Sequence, residues 1–347
     1  MAKRTKCSQR RSGDAAGVSP QGLAVYFADV GQGDCTIAVS PAERAALVTD
    51  CSHFSHALDL LERAGRPELT VIITHWHQDH VSGMAHLLLN YRGAIRAVYY
   101  NQFPVLDHAR RTVGASYVTG SLLYVLIKLA RQRRFAVCAS VRPGDWIWGT
   151  ADTGAVAVYP SADEQGEAVK SQDQNKASIV VEVRCYDQVV LLGADLPARE
   201  WLRLTRQERL SRAVALKVPH HGARLPSSFA KQITAALGPE LAIVSVGTYN
   251  RHGHPDRNCL RQWAAVCRVM CTQVTKHCCP DTMPRRSRVL TLLKQTASQA
   301  VMDGCPCAGT VVIEMNEEGY HVLPDPIRHD AVVALFGSPQ CRAGGDP

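Results

Sequence analysis

Short apolar runs recur along the chain, separated by glycine, proline and charged residues. Runs rich in valine and isoleucine predict buried strands, and the clearest are Leu69–Thr74, Ile179–Arg184, Val189–Asp195 and Leu241–Val246. Further strand-like runs lie at 23–28, 35–39, 45–50, 94–100, 146–148, 155–159, 214–219 and 310–314. Helical spacing predicts helices at 57–64, 85–90, 116–133 and 198–207. The stretch 161–174 is polar and contains a glycine, so we expect a loop that is long enough to border a site.

The two ends of the chain differ from its middle. Residues 1–21 are polar and basic without a hydrophobic period, and we predict that they are disordered. We expect one folded domain over residues 22–323, including a cysteine-rich portion at 259–310, and a peripheral tail at 324–347. A chain of 347 residues is long enough to bury one large core.

Composition narrows the class of protein. An apolar content of 46% is typical of a globular protein. The longest apolar stretch, Ser121–Ala130, contains Lys128 and is far shorter than the roughly 20 residues that span a bilayer, so we predict no membrane segment. No apolar signal core follows the charged N-terminus, and we expect a cytoplasmic location. The net charge of +8 favours polyanionic partners, although basic runs such as Arg131–Arg134 are also compatible with solvated surface.

Metal-affine side chains are concentrated in the stretch Thr74-His-Trp-His-Gln-Asp-His80, directly after a predicted strand. Imidazole nitrogen and carboxylate oxygen are ligands of zinc and similar ions. His75 and His77 are two residues apart and point the same way on an extended backbone, whereas Asp79 and His80 diverge and could bind a second ion. The alternative is a polar loop with exposed histidines. We predict a metal site where this strand ends.

Other candidate residues also follow predicted strands. Asp50 and Asp195 each end an apolar run, where a carboxylate is either a turn residue or a ligand at a sheet edge. His220 and His221 follow the run 214–219. Because adjacent strand residues point to opposite sides, we assign His220 to a metal and leave His221 to packing, ligand orientation or phosphate contact.

The pattern H-x-H-x-D-H at 75–80 resembles the signature of the metallo-β-lactamase superfamily. The motifs Asp29-Val-Gly-Gln-Gly-Asp34, Thr49-Asp50, Leu216-Lys-Val-Pro-His-His-Gly222 and Gly253-His-Pro255 are similar to those of its ComEC group, and the resemblance covers roughly residues 22–323. It implies an α/β fold of the αββα type, in which two mixed sheets lie back to back between outer helices. A site for one or two metal ions is expected at one edge.

This resemblance also implies roles for individual residues. Asp195 would bridge two ions, although Ala194 interrupts the Gly-Asp pair that is usual in the family. Asp50 would orient the metal ligands through hydrogen bonds. Many relatives supply a further histidine after the run 94–100, and His108 is the candidate here.

The predicted metal ligands are His75, His77, Asp79, His80, Asp195 and His220. We expect two divalent ions, Zn²⁺ or Mn²⁺, that share a hydroxide and clamp the attacking and leaving oxygens. Asp79 could receive the proton of that hydroxide. Lys217, Asn175 and His254 could neutralise a phosphoryl group, and His254 could alternatively be the last ligand.

The resulting hypothesis is a metal-dependent hydrolase, a phosphodiesterase or nuclease that acts on nucleic acid or a nucleotide; protein partners are left open. One alternative is hydrolysis of another ester on the same fold, such as a phosphorylcholine ester, a lactam or a thioester. Another is a non-catalytic module that binds nucleic acid or a partner. The substrate class comes from the resemblance and is compatible with the positive charge.

Thirteen cysteines without an export signal favour reduced thiols or metal ligands over disulfides. Many lie near the C-terminal end, together with His277: Cys267, Cys271, Cys278, Cys279, Cys305 and Cys307. If the two segments that carry them pair, their thiols could converge on a structural zinc. Their spacing fits no standard zinc finger, and buried free thiols are the alternative.

Overall fold

The structure is a computed structural model. It describes residues 22–102, 115–132, 134–150, 152–278, 283–295, 304–337 and 339–342. The predicted disordered segment 1–21 and the candidates His108 and Cys279 lie outside these ranges.

Strands of the described residues form two mixed sheets. One has the order β15-β14-β1-β2-β3-β4-β5-β6 and the other β13-β12-β11-β10-β9-β8-β7. In each sheet an antiparallel part is followed by parallel strands, β3 to β6 in the first and β10 to β13 in the second. The strands are β1 (Leu23–Phe27), β2 (Thr36–Ser40), β3 (Ala45–Thr49), β4 (Glu68–Ile73), β5 (Ile95–Tyr100), β6 (Ala136–Cys138), β7 (Trp146–Gly149), β8 (Thr153–Tyr159), β9 (Val180–Cys185), β10 (Gln188–Leu192), β11 (Ala215–Lys217), β12 (Leu241–Val244), β13 (Arg268–Cys271), β14 (Val311–Asn316) and β15 (Gly319–Leu323).

Helices cover the outer faces of both sheets. They are α1 (Phe54–Arg63), α2 (Gln78–Val81), α3 (Met84–Asn90), α4 (Ala115–Arg131), α5 (Ala162–Lys170), α6 (Ala198–Arg206), α7 (Phe229–Leu237), α8 (Arg257–Ala264), α9 (Arg286–Leu293) and α10 (Pro326–Val333). Short 3₁₀ segments lie at Asn175–Ala177, Pro219–Gly222 and Gln340–Arg342. None of these described helices is long and apolar enough to cross a bilayer.

Three layers of buried apolar side chains hold the sandwich together. The central layer lies between the sheets and takes alternate residues of β1, Leu23, Val25 and Phe27, because successive strand residues face opposite sides. One outer layer packs α1, α3 and α4 on the first sheet, and the other packs α6, α7 and α8 on the second. The αββα architecture implied by the sequence is confirmed.

Two segments differ from the sequence prediction. The stretch 161–174, expected to be a loop, contains α5, which begins with a capping box: Ser161 accepts a hydrogen bond from the Glu164 backbone, and the Glu164 side chain accepts one from Ser161 N. The predicted peripheral tail contains α10, whose Val332 and Val333 are buried in the outer layer of the second sheet. Packing therefore extends past residue 323.

Candidate metal centre

The histidine motif begins where β4 ends. Asp50, which follows β3, accepts hydrogen bonds from the Thr74 backbone at 2.8 Å and from the Thr74 hydroxyl at 2.6 Å. Its second oxygen lies 2.7 Å from His80 Nδ1. Parallel pairing of β3 with β4 places both strand ends at one sheet edge, so this acid reaches the motif. Asp50 lies where a residue that orients His80 is expected.

One group of donor atoms comprises His75, His77 and Asp195. His75 Nε2 lies 3.1 Å from His77 Nδ1 and 3.9 Å from Asp195 Oδ2. His75 and Asp195 are buried, whereas His77 is partly exposed. The group joins both sheets, because the histidines follow β4 and Asp195 follows β10.

A second group shares Asp195 with the first and adds His80, His221 and Asp34. His80 Nε2 is 3.4 Å from Asp195 Oδ2, and His221 Nε2 is 3.7 Å from Asp195 Oδ1. His221 Nε2 also lies 3.3 Å from Asp79 Oδ2. The carboxylate of Asp195 is thus adjacent to both groups.

Asp34 belongs to the second group by distance, but its oxygens lie nearest the opposite nitrogens of the two imidazoles. Its oxygens lie 3.6 Å from His80 Nδ1 and 3.7 Å from His221 Nδ1. Those nitrogens already contact Asp50 and the Ser245 carbonyl, the latter at 2.9 Å. In metal-binding histidines, the N–H of the ring nitrogen that does not bind the metal commonly donates a hydrogen bond to such an oxygen. Asp79 and Asp195 therefore face the free Nε2 atoms, and Asp34 lies behind the rings.

Lys217 forms a buried ion pair with Asp34. The sequence left open whether this strand lysine points outward, and it is only 2% exposed. Burial alone lowers the pKa of Lys217, but the negative charges of Asp34 and Asp195 outweigh burial and raise it. The lysine is thus positively charged at neutral pH and contacts the acid behind the imidazoles.

The glycine-rich turn after β1 explains the motif Asp29–Asp34. A Cβ at Gly33 would lie 2.5 Å from the Asp79 carbonyl oxygen and 2.7 Å from Ser52 Cβ, and φ there is +142°. Asp34 N donates to the same Asp79 oxygen at 2.9 Å. The turn therefore packs backbone against the metal-ligand loop, a distance that only glycine permits.

The sequence argument about adjacent histidines is wrong. His220 and His221 do not lie on the strand, because β11 ends at Lys217 and both residues have left-handed backbone conformations with φ of 52° and 51°. This turn directs both rings toward Asp195: His220 Nε2 is 3.8 Å from Asp195 Oδ2. His221 is fully buried, whereas the His220 side chain is 37% exposed.

Four residues at these side chains have left-handed backbone conformations. Asp50 and Ala194, like the two histidines, have positive φ, at 58° and 44°. Such conformations cost of order 1–3 kcal/mol each in non-glycine residues and cluster at functional sites. The residue that departs from the family pattern, Ala194, is one of them, and its carbonyl accepts a hydrogen bond from His220 N at 3.1 Å.

The residues fit divalent cations. Asp34, Asp50 and Asp195 are buried beside His80, and Lys217 is the one buried lysine or arginine paired with them in the described residues. Buried Nε2 atoms of His80 and His221 and Oδ1 of Asp195 have no hydrogen-bond partner in the described part of the chain. Ligands at about 2.1 Å in tetrahedral geometry lie about 3.4 Å apart. The spacings of 3.3 to 3.9 Å between these imidazoles and the Asp79 and Asp195 carboxylates match donors that share an ion better than direct hydrogen bonds.

Two further predicted site residues, His254 and Asn175, were expected to contact the substrate. The His254 ring centre is 5.5 Å from that of His220, so this histidine borders the site. Burial, followed by the nearby imidazoles, lowers the pKa of His254 to about 4. Asn175 begins a 3₁₀ turn in which its backbone N–H donates to Asp173, and its buried side-chain oxygen has no hydrogen-bond partner in the described ranges.

The cysteine-rich end contains paired segments, as the zinc hypothesis required. Cys307 N donates to Thr272 O, and Val274 N donates to Cys305 O. Yet the groups of three or more possible ligands found among the described residues are both at the histidine–aspartate centre. The described thiols here form no disulfide, and burial raises the pKa of Cys267 to about 12. The geometry does not support the structural zinc, although Cys279 lies outside the described residues.

Comparison with known proteins agrees with this architecture. The family model of the metallo-β-lactamase superfamily matches residues 28–154, and the αββα fold and the histidine–aspartate centre agree with that match. The chain is also a distant homologue of ComE operon protein 3 of Bacillus subtilis (strain 168), with 25% identity over 257 residues. That match covers 68% of this chain and 30% of the relative, so the chain spans less than a third of that protein.

One similar solved structure is the metallo-β-lactamase fold protein YhfI from Bacillus subtilis, with 11% identity and a TM-score of 0.41. The match covers 72% of this chain and 96% of that chain. Human tRNase Z, short form, has 10% identity and a TM-score of 0.36, with coverage of 65% of this chain and 92% of that one.

Proposed function

We propose that this protein is a metal-dependent phosphodiesterase that cleaves nucleic acid or a nucleotide. The observation that carries the proposal is the carboxylate of Asp195, which belongs to both groups of donor atoms. His75 and His77 would hold one ion with Asp195, and His220 lies beside this group. Asp79, His80 and His221 would hold the other. A hydrolase of this fold is supported by the family match; the phosphodiester substrate rests on the ComEC-type motifs and the positive charge.

The chain's own residues have distinct tasks in this proposal. Divalent ions, when bound, would supply an acidified water and would polarise phosphoryl oxygens. Asp50 and the Ser245 carbonyl hold the rings of His80 and His221 so that their Nε2 atoms face the centre. Asp79 is partly exposed toward the site and could accept a proton at its carboxylate. His254, neutral because burial lowers its pKa to about 4, could donate a hydrogen bond to a phosphoryl oxygen.

The test compares His77→Ala with His86→Ala. His77 belongs to a donor group, whereas His86 is an exposed histidine on α3 that contacts the Phe54 ring. We expect His77→Ala to lose bound metal and cleavage of labelled single- and double-stranded DNA while it keeps its circular dichroism spectrum. His86→Ala should behave as wild type in metal analysis and in the cleavage assay.

Substrate assays separate the alternatives. Wild-type protein supplied with Zn²⁺ or Mn²⁺ should hydrolyse bis-p-nitrophenyl phosphate and leave nitrocefin and thioesters intact. Turnover of nitrocefin or a thioester alone would contradict the phosphodiesterase proposal. Tight DNA binding without turnover of any phosphodiester would identify a non-catalytic module instead.

A further inference from the structure

An exposed aromatic side chain lies in the loop that carries His254, the histidine that borders the metal centre, and has no part in the proposed metal chemistry. Tyr249 is 79% exposed, in the loop 247–254 that connects β12 to α8. Single exposed tyrosines are common on protein surfaces. Tyr249 differs from such a residue because its loop borders the metal centre and is held by hydrogen bonds.

The loop is held in one conformation by hydrogen bonds of Asn250. Its side-chain amide donates to Gly247 O at 2.9 Å and to His254 O at 2.8 Å, and its carbonyl oxygen accepts from His254 N at 3.0 Å. Thr248 N donates to Gln273 Oε1 at 2.8 Å. Tyr249 therefore projects from a backbone that these hydrogen bonds hold, which lowers the entropy cost of ordering the loop on binding.

Imidazole rings connect this loop to the metal centre. His252 is stacked on His254, with ring centres 5.8 Å apart and planes at 16°. His254 in turn lies 5.5 Å from His220, whose Nε2 is 3.8 Å from Asp195. The rings of His254 and His252 thus connect the metal centre to the loop that carries Tyr249.

The same surface is positively charged. Arg251, Arg257 and Lys276 are exposed, and none has an acidic side chain within ion-pair distance among the described residues. Arg257 Nε donates to His277 Nδ1 at 3.4 Å, and His277 Nε2 donates to Gly253 O at 3.1 Å, so this arginine is held against the loop. The acid in this stretch, Asp256, accepts hydrogen bonds from the first turn of α8.

We propose that the loop 247–254 binds single-stranded nucleic acid, with Tyr249 stacked on an unpaired base and with Arg251 and Arg257 on neighbouring phosphates. This proposal rests on the proposed function and narrows its substrate. A base must leave a duplex before an aromatic ring can stack on its face, so a tyrosine platform with flanking cations selects single strands. The rings of His252 and His254 would lie along the strand on its way to the metal centre.

The test measures binding of the full-length, metal-loaded protein to a fluorescent single strand with phosphorothioate linkages that resist cleavage. Tyr249→Ala should weaken binding between about 5-fold and 140-fold, since stacking contributes roughly 1–3 kcal/mol per base. Tyr249→Phe keeps the ring and should bind as wild type. Tyr186→Ala is the matched control, because Tyr186 lies in the turn before β10, at the opposite end of that strand from Asp195.

A fully abasic strand of equal length isolates the stacking contribution. Wild type should bind it more weakly than the base-bearing strand, and Tyr249→Ala should bind the two strands alike. Equal affinity of wild type and Tyr249→Ala for the base-bearing strand would overturn the platform, and so would equal affinity of wild type for single strand and duplex. Because binding is measured without turnover, failure of the phosphodiesterase proposal would be seen separately, as absence of bis-p-nitrophenyl phosphate hydrolysis by wild type.

Discussion

Replacement of Lys217 by methionine tests how the buried charges behind the metal centre are balanced. Lys217 and Asp34 are 3% and 4% exposed, and they form a direct ion pair. Lys217→Met keeps most of the side-chain volume but leaves the Asp34 carboxylate buried beside Asp50 and Asp195. Removing one member of a buried pair destabilises a protein by about 3–5 kcal/mol because the remaining charge is uncompensated. We expect a loss of that size in the metal-free protein.

The double variant Lys217→Met with Asp34→Asn removes both charges and should recover part of this loss. The expected coupling between the two positions is at least about 2 kcal/mol, well above the roughly 0.5 kcal/mol within which independent sites are additive. Urea unfolding of the four proteins in EDTA, followed by tryptophan fluorescence, gives the cycle. Arg268→Met is the control: the pair Arg268–Asp330, at 2.9 Å, has 41% and 40% exposed side chains, and its loss should cost less than about 1 kcal/mol.

Additive effects of the two single variants would refute the reasoning. A cost of Lys217→Met no larger than that of Arg268→Met would refute it as well. Either result would mean that Asp34 is not charged, or is solvated, when the protein is folded.

Gly33→Ala should lower zinc retention on dialysis and destabilise the protein by about 1–3 kcal/mol, because its Cβ would lie 2.5 Å from the Asp79 carbonyl oxygen at a positive φ. The control is Gly93→Ala, which has open space around its Cβ. Equal zinc retention by both variants would argue against this packing role. Burial lowers the pKa of His329 to about 4, so this histidine should make the free energy of unfolding depend on pH. Its stabilising contribution is fully present above the unfolded pKa of about 6.5 and is lost as pH falls toward 4, so acidification from pH 7.5 to pH 5 should cost about 2 kcal/mol. Urea unfolding of His329→Gln at the two pH values should show a loss of stability that is smaller by this amount. Identical pH dependence of the wild type and the variant would contradict the prediction.

Most strands could be predicted from the sequence because their signal is local. Runs such as Leu69–Thr74 and Leu241–Val246 are buried on both faces, and the structure has strands there with ends shifted by one or two residues. The helix α5 was missed although Ser161 and Glu164 have the spacing of a capping box. The helix α10 was missed because its burial depends on contact with distant elements, α9 among them.

The candidate site was only partly visible in the sequence. The six predicted ligands lie near one another in the structure: His75, His77, Asp79, His80, Asp195 and His220. Asp34 was quoted within a turn motif but given no role at the site. Its proximity to His80 and Lys217 depends on the packing of one sheet's turn against the other sheet's strand, which no sequence spacing encodes.

The sequence by itself determined which donors are available and that they follow strands, because ligand chemistry and apolar runs are properties of neighbouring residues. Only the tertiary structure decided which nitrogen of each imidazole faces the centre and that His221 joins His220 there. The physical reason is that a left-handed turn at 219–222 reverses the alternation expected of a strand. Such a turn costs energy locally and persists because the rings it directs are packed between two sheets.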